Sequence, residues 1–274
     1  MKSYRACHRA SSTRFGFLLA AFFLLCAAVP ACTIFVLTDT NRVLFCNNED
    51  WSDFKTRVWF VPGGRGTNGC AYVGFADGVA QGGVNTRGLA YDWVAGYNQK
   101  LDPEPGKKRI KGNLSVRMLE TCATVEDVVA FYRAYAEPAF AMGKTLVADR
   151  TGASVIIGAK DGHVVFERES KCRGFGYGQP ALAKMLTPTT EPTLLNAATI
   201  LRAARQEGQY ATKYSNVYDL NSGDIFLFPN PGRDDMVTIH LTEELKKGKH
   251  GYDMPNIKEE LKQSPRPVFF GSKD

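Results

Sequence analysis

Segments rich in β-branched and aromatic residues, separated by turn residues, fill the chain directly after residue 31. Residues 32–39 (CTIFVLTD) and 42–48 (RVLFCNN) flank Asp39-Thr40-Asn41, whose turn chemistry predicts a β-hairpin. Further runs of strand length follow, and the glycine-rich residues 77–88 separate the last two of them. These runs predict strands at 56–62, 70–76 and 88–96.

The hydrophobic period changes to helical spacing in two later segments. Residues 115–136 carry apolar side chains at this spacing, and Thr124 is placed to cap a second helix there, with Asp127 in the capping-box position. Residues 192–208 form another helical segment, which ends at Gly208, a normal stop signal for a helix. The pattern therefore predicts helices in both segments.

Strand patterns return around the second helical segment, and Asp161-Gly162 is a strong hairpin turn within them. These strands are predicted at 144–152, 154–168, 213–229 and 236–245. Hairpin turns favour antiparallel pairing. The order of strands, helices, strands, helix and strands therefore predicts an α+β fold, with two antiparallel sheets and helices on their outer faces, in a single domain over 32–274.

The first 31 residues have the pattern of an export signal. Residues 15–29 are apolar but too short to span a bilayer comfortably, which takes about 20 residues. Val29-Pro30-Ala31 fits the site that signal peptidase cleaves. We expect cleavage after Ala31 and a secreted or periplasmic protein without membrane attachment; a retained anchor is the alternative. The basic residues before the apolar stretch are Lys2, Arg5, Arg9 and Arg14.

Net charge gives no indication of nucleic-acid binding once the leader is set aside. The formal net charge of the whole chain is +6, and the leader holds four basic and no acidic residues, which leaves +2 over 32–274. No basic stripe remains, and residues 246–249 (KKGK) are predicted to form a solvated turn. The sequence therefore argues against a nucleic-acid partner.

The cysteines that follow the leader are odd in number, so at least one thiol is unpaired within a chain. An exported protein permits disulfides, but this set does not dictate any. No CxxC spacing occurs, and the three histidines after residue 31 are scattered, so we predict no metal site. The cysteines are Cys32, Cys46, Cys70, Cys122 and Cys172.

Cleavage after Ala31 would make Cys32 the first residue of the mature chain. A thiol and an α-amine with a reference pKa of about 7.7–8.0 would then share one residue. The amine can take the thiol proton, the thiolate can attack an amide carbonyl, and the ammonium can protonate the leaving nitrogen. Three other interpretations of Cys32 are a structural disulfide, a lipid-modified cysteine and a buried, inert thiol.

Residues 32–51 (CTIFVLTDTNRVLFCNNEDW) resemble the mature start of the cysteine N-terminal-nucleophile (Ntn) hydrolases, the family of choloylglycine hydrolases, penicillin V acylases and linear amide C–N hydrolases. That family combines Cys-Thr, a hairpin and an aromatic-Gly-Arg-Asn-x-Asp motif, which residues 45–50 (FCNNED) resemble. The segments 82–92, 145–167 and 212–228 are similar to later parts of the family. The resemblance implies a four-layer αββα sandwich of two antiparallel sheets flanked by helices.

The resemblance also implies roles for residues of the motif. Cys32 corresponds to the nucleophile and Asp50 to the acid that holds the α-amine, although Asp50 could instead cap the hairpin. Asn47 stands where the family has an arginine, and its amide can hydrogen-bond but carries no fixed charge. The family's oxyanion-site asparagine has no counterpart, which leaves backbone N–H groups, Asn48 or a residue of 91–98 as candidates.

Four residues are candidates for substrate binding. Trp51 and Tyr91 are aromatic and close in sequence to the motif, and Asp92 follows directly. Arg202 corresponds loosely to a late arginine of the family. For the aromatic residues the alternative is a place in the core, and for Arg202 it is a solvent-facing position on a helix.

These features predict a secreted amidohydrolase that cleaves linear, non-peptide C–N bonds through a Cys32 thioester. The expected substrate is a small-molecule acyl amide, and no cofactor is required. The alternatives are an acyltransferase of the same fold and a catalytically inactive exported binding protein. The resemblance also implies that homo-oligomers can form.

Overall fold

The computed structural model of the protein describes residues 32–52, 55–233 and 235–263, and the predicted leader over 1–31 lies outside them. The strands are β1 (Thr33–Thr38), β2 (Val43–Asp50), β3 (Thr56–Val61), β4 (Cys70–Phe75), β5 (Ala80–Asn85), β6 (Leu89–Ala95), β7 (Gly143–Asp149), β8 (Ser154–Lys160), β9 (His163–Glu169), β10 (Arg173–Gly176), β11 (Thr212–Asp219), β12 (Asp224–Phe228), β13 (Val237–His240) and β14 (His250–Asp253). The α-helices are α1 (Leu114–Thr121), α2 (Val125–Ala134), α3 (Gln179–Met185), α4 (Leu194–Ala203), α5 (Leu241–Lys246) and α6 (Ile257–Glu260). Short 3-10 helices lie at Pro138–Ala141 and Met254–Asn256.

Two antiparallel sheets contain these strands. The six-stranded sheet has the order β10-β1-β2-β11-β12-β13, and the eight-stranded sheet has the order β14-β3-β4-β5-β6-β7-β8-β9. The predicted first hairpin is confirmed, since β1 pairs with β2 from Thr33 opposite Asn48 to Thr38 opposite Val43. This pairing places the start of β1, and therefore Cys32, next to the end of β2.

Helices cover the outer faces of both sheets, so the molecule has four layers. Helices α1 and α2 pack on the eight-stranded sheet through buried residues such as Met118 and Val128. Helix α4 covers the six-stranded sheet through Ala197 and Leu201. A third apolar cluster, which includes Phe45, fills the space between the sheets. The predicted α+β fold with an αββα sandwich is confirmed, and no helix in the described ranges is long and apolar enough to cross a bilayer.

Side-chain caps determine where the first two helices begin. The side chain of Asn113 accepts hydrogen bonds from the backbone N–H groups of Ser115 and Val116 at the start of α1. The predicted capping box of α2 is confirmed: Thr124 Oγ1 accepts from the Asp127 N–H at 3.2 Å, and Asp127 Oδ2 accepts from the Thr124 N–H at 3.0 Å. These bonds satisfy backbone donors that have no partner within a helix.

The segment predicted as one last strand over 236–245 divides into a strand and a helix. Strand β13 ends at His240, and α5 begins at Leu241, which is buried. Glu243 and Glu244 lie in the first turn of α5, where acidic side chains interact favourably with the helix dipole. The prediction of a strand beyond His240 is therefore wrong, because the four alternating residues of β13 are followed by a helical first turn.

Candidate active site

Cys32 lies just before β1, and its side chain is a buried, free thiol. Strand β10 holds its backbone, because the N–H of Tyr177 donates to the Cys32 carbonyl at 3.1 Å. Gly176 packs directly on that carbonyl with φ 123°, where a Cβ atom would overlap it. The other cysteines of the described ranges are also unpaired, so no disulfide joins Cys32 to any of them.

A cavity of about 530 Å³ lies beside Cys32. Its size is typical of small-molecule sites, which range over about 300–1,000 Å³. Cys32 and the end of β2 line one part of it, and β4, β5, β6, the start of α1 and the 3-10 helix Pro138–Ala141 line the rest. Its apolar lining includes Trp51, Phe75, Trp93, Leu114 and Met142.

The Cys32 thiol donates a hydrogen bond to the carboxyl group of Glu49, with 3.3 Å between Sγ and Oε1. The second carboxyl oxygen of Glu49 accepts from the side-chain amide of Asn47 at 3.3 Å. Because Asn47 and Glu49 are two positions apart on β2, both side chains project from the same face of the strand. The motif-based reasoning missed Glu49, which occupies the variable position of the motif; the alternation along β2 was the signal that could have identified it.

The surroundings of Cys32 disfavour negative charge. Burial raises the pKa of the Cys32 thiol well above its usual value, and the charges of Glu49, Asp50 and Asp92 raise it further. Burial raises the pKa of Glu49 to about 7 and that of Asp50 to about 8, although hydrogen bonds oppose both shifts. Glu49 is therefore poised to exchange a proton near neutral pH. No group of three His, Cys, Asp or Glu residues within the described chain is placed to hold a metal ion.

Asp50 is buried at the end of β2 and lines the same cavity. Its Oδ1 accepts from the Thr212 hydroxyl at 2.5 Å, whereas its Oδ2 has no hydrogen-bond partner among the described residues. A hydrogen bond from the Asp50 backbone lowers the pKa of Cys32 against the larger effect of burial. Since the structure is that of the uncleaved chain, the Cys32 nitrogen is a peptide nitrogen, and a contact between Asp50 and a free α-amine stays a prediction.

Asn48 points away from the cavity, towards α4. Its amide donates to the carbonyl of Leu201 at 2.9 Å, and its side-chain oxygen accepts from the Ser215 hydroxyl at 2.7 Å. Both polar groups are therefore engaged in joining α4 to the six-stranded sheet. The structure does not bring Asn48 to the Cys32 sulfur, because successive residues of β2 face opposite sides of the sheet.

Asp92 and Tyr91 are neighbours on β6 and face opposite sides of the eight-stranded sheet. Asp92 projects between the sheets, where its Oδ1 accepts from the Trp93 N–H at 2.7 Å and its Oδ2 has no partner among the described residues. Gly82 leaves room for this carboxyl group, since a Cβ atom there would collide with it. Tyr91 packs in the outer core beneath α1 and α2, so the structure does not bring it to the cavity.

Trp51 lines the cavity, with its ring centroid 6.2 Å from that of Phe75. Arg202 lies on the exposed face of α4 and lines a separate, much smaller cavity with Arg205 and Arg233. Arg202 is therefore not near Cys32 in this structure. The predicted residues that the structure gathers around Cys32 are Asn47, Asp50, Trp51 and Asp92.

Solved structures of two kinds of enzyme share this fold, whereas no protein-family model and no curated protein matches the sequence. Penicillin V acylase from Agrobacterium tumefaciens superposes with a TM-score of 0.62 at 14% identity, covering 81% of this chain and 91% of the acylase. A mutant of conjugated bile acid hydrolase from Clostridium perfringens gives 0.61 at 13% identity, covering 81% and 96%. A second variant of that hydrolase gives 0.62 at 12% identity, covering 88% and 100%. At such identities the likeness establishes the common sandwich fold.

Proposed function

We propose that the protein is an amide hydrolase that cleaves linear, non-peptide C–N bonds with Cys32 as its nucleophile. The observation that carries this proposal is the Cys32 thiol, hydrogen-bonded to Glu49 at the wall of a cavity large enough for a small molecule. The sandwich fold shared with a penicillin acylase and a bile acid hydrolase supports the same class of reaction. The substrate is accordingly a small-molecule acyl amide.

Removal of the leader during export completes the proposed site, because it frees the α-amine of Cys32. The leader pattern supports cleavage after Ala31 and release of a secreted or periplasmic protein whose first residue is Cys32. The new α-ammonium then lies among the carboxyl groups of Glu49, Asp50 and Asp92, which favour its charged form. A protonated amine cannot take the thiol proton, so a second acceptor is needed.

Glu49 supplies that acceptor. The Cys32 thiol gives its proton to Glu49 while sulfur attacks the amide carbonyl and forms the C–S bond. The C–N bond then breaks as the α-ammonium protonates the leaving nitrogen. Water attacks the thioester, a new C–O bond forms as the C–S bond breaks, and the protons return to sulfur and the amine. The products are a carboxylic acid and an amine, and no cofactor enters the balance.

Turnover of acyl 4-nitroanilides by the secreted protein tests this proposal. A Cys32→Ser variant should lose at least about 100-fold in kcat/KM while it keeps the thermal unfolding temperature, because a hydroxyl is a far weaker nucleophile than a thiolate. Cys172→Ser is the matched control: Cys172 is buried outside the cavity, and its thiol already hydrogen-bonds to backbone carbonyls of Thr38 and Thr190. Equal turnover by the Cys32→Ser variant and the wild type would refute the assignment.

A further inference from the structure

Four acidic residues line the cavity beside Cys32, and no lysine, arginine or histidine of the described chain lines it. Glu49 and Asp50 lie next to the sulfur and are buried, whereas Glu137 is half-buried and Asp77 is exposed. The charge of Lys213 acts on Asp50 from outside the lining. The lining therefore offers acidic side chains to a bound molecule and no basic one.

Some buried carboxyl oxygens near Cys32 have no hydrogen-bond partner among the described residues. Asp50 lines the cavity, and its buried Oδ2 has no hydrogen-bond partner among the described residues. Asp92 Oδ2 is also buried and has no hydrogen-bond partner among the described residues. Burial raises the pKa of Glu49 and of Asp50, so the ionised form of each is disfavoured unless a cation lies nearby. The α-ammonium formed on leader cleavage brings one positive charge to the two. A further cation at this place would offset the desolvation of the remaining carboxylates.

Aromatic rings complete a surface suited to a cation. Trp51 is 42% exposed and lines the cavity with Phe75. Trp93 is held in place, since its Nε1 donates to the Ser115 hydroxyl at 2.9 Å and its ring stacks on Phe140 at a centroid distance of 5.1 Å. Aromatic faces attract ammonium groups, most strongly where water is excluded.

We infer that the substrate is an acyl amide whose acyl group carries a positive charge, such as an alkylammonium or quaternary ammonium group. This inference rests on the proposed hydrolase function and adds the class of acyl group. An anionic acyl group would be repelled by the lining carboxylates. A cationic one places its charge between those carboxylates and the aromatic rings while its carbonyl reaches the sulfur.

Three 4-nitroanilides that differ in charge and little in shape test the inference. They carry 6-trimethylammoniohexanoyl, the isosteric neutral 7,7-dimethyloctanoyl and the anionic 6-carboxyhexanoyl group. We expect kcat/KM for the cationic substrate to exceed that for the neutral one at least about tenfold, which corresponds to about 1.4 kcal/mol. The anionic substrate should be the poorest, and added salt should reduce the preference because it screens charge.

Variants of the outer carboxyl groups assign the preference to this cavity. Asp77→Asn and Glu137→Gln keep a side-chain oxygen that can accept the bonds now made by the N–H groups of Val79 and Ala139. Each should reduce the cationic-to-neutral ratio of kcat/KM about threefold, mainly through a higher KM for the cationic substrate. Glu259→Gln, on exposed α6 and outside the cavity, should leave the ratio unchanged.

The outcomes separate the two proposals. Equal or better hydrolysis of the neutral or anionic substrate, with loss of turnover in the Cys32→Ser variant, would overturn the cationic substrate class and leave the hydrolase assignment standing. A cationic preference that survives Asp77→Asn and Glu137→Gln unchanged would also overturn the inference. No Cys32-dependent turnover of any of the three substrates would contradict both.

Discussion

At the scale of single residues, Glu49 is the proposed proton acceptor for the Cys32 thiol. It contacts the Cys32 thiol at 3.3 Å, and its pKa of about 7 is that of a group able to accept and return a proton in neutral solution. An arginine at position 47 would have brought a positive charge towards this pair, but Asn47 contributes only an amide donor to Glu49. In the proposed mechanism a carboxylate therefore takes the thiol proton, and no side-chain cation is needed beside the sulfur.

Replacement of Glu49 by glutamine tests this role, because the amide can accept the thiol hydrogen bond but cannot take the proton. We expect kcat/KM to fall about 10²–10⁴-fold. In the wild type, kcat/KM should rise with pH through the pKa of Glu49, since Glu49 accepts a proton only in its ionised form. Burial raises that pKa to about 7, and the α-ammonium of the cleaved chain lowers it from there. That rise should disappear in Glu49→Gln, as steady-state rates from pH 5 to 9 would reveal.

The Asn47→Ala variant tests the role of Glu49 in a second way, through the midpoint of the pH dependence of kcat/KM. The amide of Asn47 lowers the pKa of Glu49, so its removal should move the midpoint of the rise to higher pH without abolishing it. A profile in Glu49→Gln that keeps the midpoint of the wild type would show that another group is the proton acceptor.

At the scale of secondary-structure elements, the short strand β10 positions Cys32, the proposed nucleophile. Its pairing with β1 sets Thr33 opposite Gly176, and the Tyr177 N–H holds the Cys32 carbonyl. Gly176 allows this approach because it has no Cβ atom and adopts a positive φ. Cys32 is therefore held by backbone contacts that no side-chain motif reveals.

A Gly176→Ala substitution should consequently displace Cys32. We expect the free energy of unfolding to fall by more than about 1 kcal/mol, and kcat/KM to fall further than stability alone explains. Gly208→Ala is the control, since Gly208 also has a positive φ (88°) but no atom within 4 Å of an added Cβ atom. Chemical denaturation and kcat/KM measured on both variants distinguish backbone strain, which both introduce, from displacement of Cys32, which only Gly176→Ala should cause. Equal losses of kcat/KM in the two variants would contradict the positioning role of β10.

Elements with strong local signals could be predicted from the sequence. The turn at Asp161-Gly162 has φ of 50° and 84°, as a two-residue hairpin requires, and the capping box of α2 is formed by Thr124 and Asp127. Helix α5 was missed because its six residues are too few to establish a helical period. Strand β10 was missed because it is also short: it has four residues, and two of them are glycines, which have low strand propensity.

At the scale of the whole molecule, the packing of the two sheets brings together site residues that the sequence alone did not predict. The layer order followed from the hairpins and helices, and the motif led to Cys32 and Asp50 on adjacent strand ends. The charge of Asp92, on the opposite sheet, acts on Cys32, and the cavity also includes residues near α1 and the 3-10 helix Pro138–Ala141. Such groupings depend on how two sheets pack together, which local periodicity does not encode.

The most direct test of the central claim is intact-mass spectrometry of the secreted protein, acid-quenched during turnover of an acyl 4-nitroanilide. The account predicts a chain that begins at Cys32 and gains the mass of one acyl group, which peptide mapping places on that residue and hydroxylamine removes. A catalytically active chain that still carries Ala31, or one acylated at a different residue, would contradict it.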